Sequence, residues 1–144
     1  MRKVRDMLTS DMFEIPLPVT QNAGSLSCRA EIAALMSEAI KDCDKDRYQI
    51  AAEMSRLLDR DISKYMLDAY TSESRDTQIP PIDTALAFDL ATGGISLLKF
   101  YADKLGCKVV VGRDVLYTEL GRIEQAKKDL ANAEKAIKKH LETT

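Results

Sequence analysis

Two short helices with strong start signals lie between residues 46 and 78, and they constrain the fold of this chain more than any other segment. Asp46 can cap the first helix, and Gln49 follows it at the spacing of a capping box. Ser63 can cap the second helix by accepting a hydrogen bond from a backbone N–H of its first turn. Apolar residues then recur at helical spacing and predict one shared buried face. They are Ile50, Ala51, Met54, Leu57 and Leu58 in the first helix, and Met66, Leu67 and Tyr70 in the second.

The overall charge is nearly balanced, with 21 basic and 23 acidic residues among 144 and a net charge of −2. This balance gives no basic signature for nucleic acid or for an anionic membrane. No apolar run approaches the roughly 20 residues of a membrane-spanning helix, and the amino terminus has no apolar signal-peptide core. We therefore expect a cytoplasmic protein without a membrane partner, built as one domain with an appendage.

The amino-terminal segment alternates apolar residues with prolines. Phe13, Ile15, Leu17 and Val19 alternate, and prolines occupy two of the positions between them. Because proline cannot donate a ladder hydrogen bond, the pattern excludes a central strand. We predict an extended arm over residues 1–27, which either packs over its own domain or crosses to a second protomer.

The middle of the chain, residues 28–106, predicts a compact domain of five helices. One helix over residues 28–42 precedes the capped pair. Proline is favoured in the first turn of a helix and glycine just past its end, so Pro81 and Gly93 bound a fourth helix and Gly106 ends a fifth. The fold class is mainly α. The predicted core residues are Leu35, Met36, Ile50, Met54, Leu57, Met66, Leu67, Leu86, Leu90 and Leu98.

Residues 107–144 predict a short strand followed by a long helix. Lys108–Val111 is a brief β-type run that could pair with the arm, and a helix follows from Arg113 to about Leu141. Lys127 and Glu134 interrupt its apolar seam, which makes a weak coiled coil, although these two residues could pair across an antiparallel contact. The helix is predicted either to join a homodimer or to pack on its own core. The seam residues are Leu116, Leu120, Ile123, Leu130, Ile137 and Leu141.

Signals for catalysis or metal binding are missing from the sequence. It has no glycine-rich phosphate loop, no paired metal ligands and no nucleophile motif. Cys28, Cys43 and Cys107 are widely spaced and are expected to stay reduced in a cytoplasmic core. His140 lies near the end of a charged helix, where it is expected to be solvated. We therefore predict no catalytic residues, no metal and no cofactor, and hence no enzyme.

The span from about residue 46 to 106 resembles the lambda-repressor-like helix-turn-helix domain of phage and prophage regulators. Gln49-Ile50-Ala51 is similar to a compressed form of the family's Gln-x-x-x-Ala opening, and Ile62-Ser63 is similar to its turn-exit pair. The segment IPPIDTALAFDLATG is similar to the family's proline-led fourth helix. The resemblance implies a transcriptional regulator that binds double-stranded DNA as a dimer in a bacterial cell.

The resemblance also implies a set of contacts with DNA. The second helix of the pair would place Lys64, Tyr65, Asp68, Ser72 and Arg75 in the major groove, and Arg47 and Gln49 would contact phosphate at the start of the first helix. Two features depart from the family: the turn is longer and lacks glycine, and residues 28–78 hold eight basic and eleven acidic residues, net −3. The alternative is a non-enzymatic protein-interaction module on the same scaffold. The candidate phosphate-binding side chains are Lys45, Arg47, Arg56, Arg60, Lys64 and Arg75.

Overall fold

The computed structural model describes residues 15–72, 74 and 78–144, and these residues contain six helices. The predicted mainly helical class is confirmed, with five helices between residues 28 and 106 and a sixth beyond them. The chain divides into two compact units whose boundary lies between Val109 and Val110. None of the helices in the described part of the chain is long and apolar enough to cross a membrane. The helices are α1 (Arg29–Asp42), α2 (Arg47–Leu58), α3 (Lys64–Thr71), α4 (Ile82–Thr92), α5 (Ser96–Lys104) and α6 (Asp114–Glu142).

The residues predicted to start α2 and α3 form hydrogen bonds within the first turn of each helix. Asp46 Oδ1 accepts from the Gln49 backbone N–H at 2.8 Å, and Gln49 Oε1 accepts from the Asp46 N–H at 2.9 Å, which completes the capping box. Ser63 Oγ accepts from the Met66 N–H at 3.2 Å. Each bond satisfies a backbone donor that the first helical turn leaves without a partner, so these starts were predictable from the sequence.

Five residues, 59–63, connect α2 to α3. Asp59 ends α2 with φ of 49°, the left-handed conformation that glycine usually supplies and that aspartate tolerates better than most residues. Ile62 is buried, and its N–H donates to Ser55 Oγ at 2.8 Å. The turn is therefore fastened back onto α2 by a side chain within that helix.

The core of the first unit lies where α2 packs on α4, with α1 packed on α3 and α5. Met36, Ile50, Met54 and Leu67 are fully buried as predicted, and Leu35 and Met66 are half-buried. The prediction is wrong for four leucines, Leu57, Leu86, Leu90 and Leu98, which are exposed. The main buried cluster consists of Met36, Ile50, Ala51, Met54, Ile62, Leu67, Tyr70, Ala87, Phe88, Ala91 and Leu97.

For Leu86 and Leu90 in α4 and for Leu98 in α5, the prediction assigned the wrong side of the helix to the core. Apolar residues surround α4 on all sides, so their spacing does not select a face. The structure buries Thr84, Ala87, Phe88 and Ala91, in which two alanines let the helix backbones approach closely and one phenylalanine fills the core. Leu86 and Leu90 then point outward. In α5, Leu97 and Ala102 are buried in place of Leu98.

The described part of the arm pairs with the end of α5 and not with residues 108–111. The Val19 N–H donates to the Lys104 carbonyl at 3.0 Å, and an isolated antiparallel bridge joins Pro18 to Leu105. A Cβ at Gly106 would collide with the backbone of Leu17 and Pro18, so a glycine is required there. The predicted strand at Lys108–Val111 is wrong, because the structure gives these residues no regular secondary structure. Residues 1–14, including Phe13, lie outside the described residues.

Charged side chains from neighbouring elements cap several helix ends in the first unit. Asp89, which is 7% exposed, accepts from the backbone N–H groups of Leu97 at 3.1 Å and Leu98 at 3.0 Å, at the start of α5. Lys45 Nζ donates to the Ala91 carbonyl at 2.9 Å, and Arg29 donates to carbonyls at the end of α3. A carboxylate at a helix start and cations at helix ends both complement the helix dipole.

Candidate nucleic-acid interface

Arg47, the first residue of α2, joins the start of that helix to the outer side of α3. Its Nη1 donates to Asp68 Oδ1 at 3.1 Å and to Thr71 Oγ1 at 2.9 Å. Asp68 and Thr71 lie one turn apart on α3, so both can meet the same guanidinium. These contacts place the amino-terminal end of α2 beside the exposed face of α3.

Lys64, the first residue of α3, occupies the centre of this surface. Its Nζ lies 2.7 Å from Asp68 Oδ2, 5.9 Å from the centre of the Tyr48 ring and 5.6 Å from the centre of the Tyr65 ring. The hydrogen bond to Asp68 raises the pKa of the Lys64 ammonium, which therefore keeps its charge at neutral pH. The two rings add cation–π attraction. We call Arg47, Tyr48, Lys64, Tyr65 and Asp68 the α2–α3 surface.

The α2–α3 surface is positive and accessible. Asp68 is shared by two cations, so the cluster has a net charge of +1. Tyr48 and Tyr65 are 66% and 74% exposed, and about a third of each charged side chain is exposed. Ion pairs at this level of exposure contribute little net stability. Arg47 and Lys64 can therefore exchange the Asp68 carboxylate for another anion at low cost.

The fold brings four of the seven predicted contact residues together. Arg47, Lys64, Tyr65 and Asp68 lie in the α2–α3 surface. Gln49 is exposed, but its Oε1 is engaged in the capping box. Ser72 lies past the end of α3, where its carbonyl accepts from Arg29 and its hydroxyl is 3.0 Å from Ser74 Oγ. Arg75 lies outside the described residues.

Tyr48 was not among the predicted residues. It follows Arg47 directly and lies off the apolar face of α2, and the sequence contains no other sign of its role. Tyr48 and Lys64 are 16 positions apart in the sequence, and they lie side by side only because α3 packs on α2. A search for exposed aromatic residues next to the helix caps would have included it.

The other described candidate cations are engaged elsewhere. Lys45 caps α4 through the Ala91 carbonyl. Arg56 pairs with Glu53 on the same helix. Arg60 donates to Asp83 Oδ2 and to Thr84 Oγ1, both at 2.9 Å, and the hydrogen bond to Asp83 lowers the pKa of that carboxyl group. Among the six candidates, Arg47 and Lys64 therefore supply the positive charge of the α2–α3 surface.

The described residues contain no group of three or more histidine, cysteine or acidic side chains that could hold a metal ion. All three thiols are free; Cys43 is half-buried against the core, Cys28 is half-buried, and the expected core position is wrong for Cys107, which is exposed. A concavity of about 400 Å³ lies between the loop over residues 21–27 and the end of α5. Its one charged lining residue, Lys104, is paired with Glu31 at 3.2 Å.

A second exposed surface is apolar and lies on α4. Ile82, Leu86 and Leu90 follow one another at intervals of four residues and are 83%, 63% and 62% exposed. This spacing aligns them along one side of the helix. We call these three residues the α4 apolar face.

Comparison of the chain with protein-family models, with curated proteins and with solved structures finds no match in any of the three. The resemblance to lambda-repressor-like domains therefore stays a prediction from the residues that suggest it.

Proposed function

We propose that this protein is a non-enzymatic transcriptional regulator that binds double-stranded DNA through the α2–α3 surface. One observation carries the proposal: two successive capped helices bring Arg47 and Lys64, their first residues, into one exposed surface with two tyrosines. In helix-turn-helix readers, the amino-terminal part of the second helix contacts base edges while the first helix crosses the backbone. In this proposal α3 is the reading helix and α2 the supporting one.

The chemistry of the surface suits a phosphate backbone. Both cations lie at helix amino termini, where the helix dipole and free N–H groups also favour anions. On contact, phosphate oxygens take the place of Asp68 as the acceptors for Arg47 and Lys64. Tyr65 and Asp68 are then next to the bases, and a released aspartate carboxylate can accept from the cytosine amino group.

The number of cations sets the expected salt dependence. With Arg47 and Lys64 neutralising two phosphates per protomer, the logarithm of the binding constant should fall with a slope of about −1.8 against the logarithm of salt concentration. A rise from 50 to 200 mM salt would then weaken binding about tenfold per protomer. This slope is shallow for a DNA-binding protein. It is consistent with the engagement of Lys45, Arg56 and Arg60 in a helix cap and in ion pairs.

The test is a titration of labelled double-stranded DNA fragments from the protein's own genomic neighbourhood, followed by fluorescence anisotropy at 50 and 200 mM salt. Lys64→Glu should raise Kd at least tenfold and reduce the salt slope by about 0.9, because one phosphate contact is lost. Lys99→Glu is the matched control, since it makes the same charge change at an exposed position on α5. Equal binding by wild type and Lys64→Glu, or no binding by wild type at 50 mM salt, would refute the proposal.

A second candidate function is protein interaction, and the α4 apolar face favours it. Exposed apolar stripes of this kind mark interaction sites more often than isolated exposed leucines do. An amphipathic partner helix would lie along Ile82, Leu86 and Leu90, as in helix-in-groove recognition. Leu86→Glu would then abolish capture of a partner by the full chain while Lys64→Glu would not, and the reverse result would favour the α2–α3 surface.

A further inference from the structure

The sixth helix, α6, has 29 residues, and every one of them is exposed. Leu116, Ile123, Leu130 and Ile137 follow one another at intervals of seven residues, and each is more than half exposed. A repeat of seven keeps apolar side chains on one side of a helix over its whole length. Helices in proteins are stabilised mainly by packing of their apolar face, so this exposed stripe favours a partner surface.

A second row completes the seam and identifies the partner's orientation. It consists of Leu120, Lys127, Glu134 and Leu141, again at intervals of seven residues. In a parallel pair of identical helices, Lys127 would face Lys127 of the second copy and Glu134 would face Glu134, which puts like charges together at two layers separated by that of Leu130. In an antiparallel pair, Lys127 is level with Leu130 of the second copy, one helical turn from Glu134 of that copy, which is within reach of the long Lys127 side chain. The two charged interruptions therefore disfavour the parallel arrangement and favour the antiparallel one.

We infer that α6 pairs with α6 of a second copy of this chain in an antiparallel coiled coil. The register stacks Leu120 on Ile137 of the second copy and Leu116 on Leu141, with the two-fold axis between residues 128 and 129. The midpoint of Asp114–Glu142 is residue 128, so this register overlaps the two helices along almost their full length, about 43 Å. Lys127 and Glu134 pack their methylene stems in the seam and bring their charged groups together at its edge.

The ends of α6 carry opposite charge, which fits the same orientation. Residues 114–124 contain three acidic and one basic residue, and residues 135–142 contain three basic and one acidic residue. Antiparallel pairing brings each acidic end against a basic end and also opposes the two helix dipoles. Glu124 flanks the seam next to Ile123 and has no ion pair within the described residues, so it is available to the second copy.

The bond that Glu134 already makes does not block this contact. Its Oε1 pairs with Lys138 at 2.6 Å on the same helix. A carboxylate has two oxygens and can accept from two cations, so Oε2 remains for Lys127 of the second copy. Asp68 in the first unit accepts from two cations in this way.

A charge-swap series measured by sedimentation equilibrium on the full chain tests both the pairing and its direction. Lys127→Glu alone and Glu134→Lys alone should each weaken the dimer about tenfold, because an attraction that occurs twice in the dimer becomes a repulsion. The double variant Lys127→Glu/Glu134→Lys should restore wild-type association. A parallel pair gives a different result, since each single variant would still place like charges together and would associate as the wild type does. Lys128→Glu, outside the seam, is the matched control.

Helix content from circular dichroism, measured at a concentration where each variant is monomeric, separates loss of pairing from loss of the helix. Wild-type protein that is monomeric at tens of micromolar, or single variants that associate as the wild type does, would overturn the inference. It is independent of DNA binding, because Lys64→Glu lies in the other unit and should leave association unchanged. A dimeric wild type that fails to bind DNA would therefore refute the proposed function alone.

Discussion

Replacement of Asp89 should destabilise the first unit by removing the cap of α5. This carboxylate is 7% exposed and accepts two backbone hydrogen bonds, from Leu97 at 3.1 Å and Leu98 at 3.0 Å. Asp89→Ala removes both acceptors. The Leu97 N–H belongs to a buried residue, so water is poorly placed to replace the lost acceptor.

The magnitude follows from two comparisons. Loss of a helix cap costs about 0.5–2 kcal/mol, and a hydrogen bond to a charged group contributes about 1.5–3 kcal/mol. Because one carboxylate serves two donors and its own burial has a cost, we expect about 2–3 kcal/mol for Asp89→Ala. Asp89→Asn keeps a neutral carbonyl acceptor and should lose about half as much.

The free energy of unfolding can be measured by urea denaturation, and the protection of the Leu97 and Leu98 amides by hydrogen exchange. Asp44→Ala is the matched control, because Asp44 is exposed in the loop before α2. Protection at both amides should fall in Asp89→Ala and stay unchanged in the control. If Asp89→Ala costs less than about 0.5 kcal/mol, the range of ordinary surface changes, the capping assignment is wrong.

Two further predictions concern the core and an ion pair of the first unit. Leu67→Ala should cost about 2–5 kcal/mol in urea denaturation, because the Leu67 side chain is fully buried and its truncation leaves a cavity; a loss under about 0.5 kcal/mol would contradict the burial. The hydrogen bond from Arg60 lowers the pKa of Asp83 in the folded state, so this pair stabilises the fold above the ordinary pKa of aspartate, and the effect disappears as pH falls through the lowered value. The difference in Tm between wild type and Asp83→Asn should accordingly be present at pH 6 and shrink as the pH falls through the lowered pKa, whereas a difference that does not change with pH would have another cause.

The sequence by itself determined the features that depend on neighbours along the chain. The capping box at Asp46 and Gln49, the cap at Ser63 and the glycine after α4 act within one helical turn, so residue type and spacing were sufficient to predict them. The long helix near the carboxyl end was predicted over residues 113–141 and is present over 114–142. Local hydrogen bonding and helical periodicity carry this information without any tertiary contact.

Only the tertiary structure decided which faces are buried and which charges meet. In α4, apolar residues on every side left the packing against α2 to choose Ala87, Phe88 and Ala91 over the larger Leu86 and Leu90. Close approach of two helices favours small side chains at the contact. The number of apolar residues in a helix does not show where such a contact will form.

The α2–α3 surface depended on the fold in the same way. Arg47 and Asp68 are separated by 21 positions and meet only because α3 packs beside the start of α2. That packing also set Tyr48 next to Lys64, which the sequence did not indicate. It leaves two cations on one carboxylate, and so makes this surface positive within a segment whose composition is acidic. Composition sums charge along the chain, whereas the sign of a surface depends on which side chains the packing brings together.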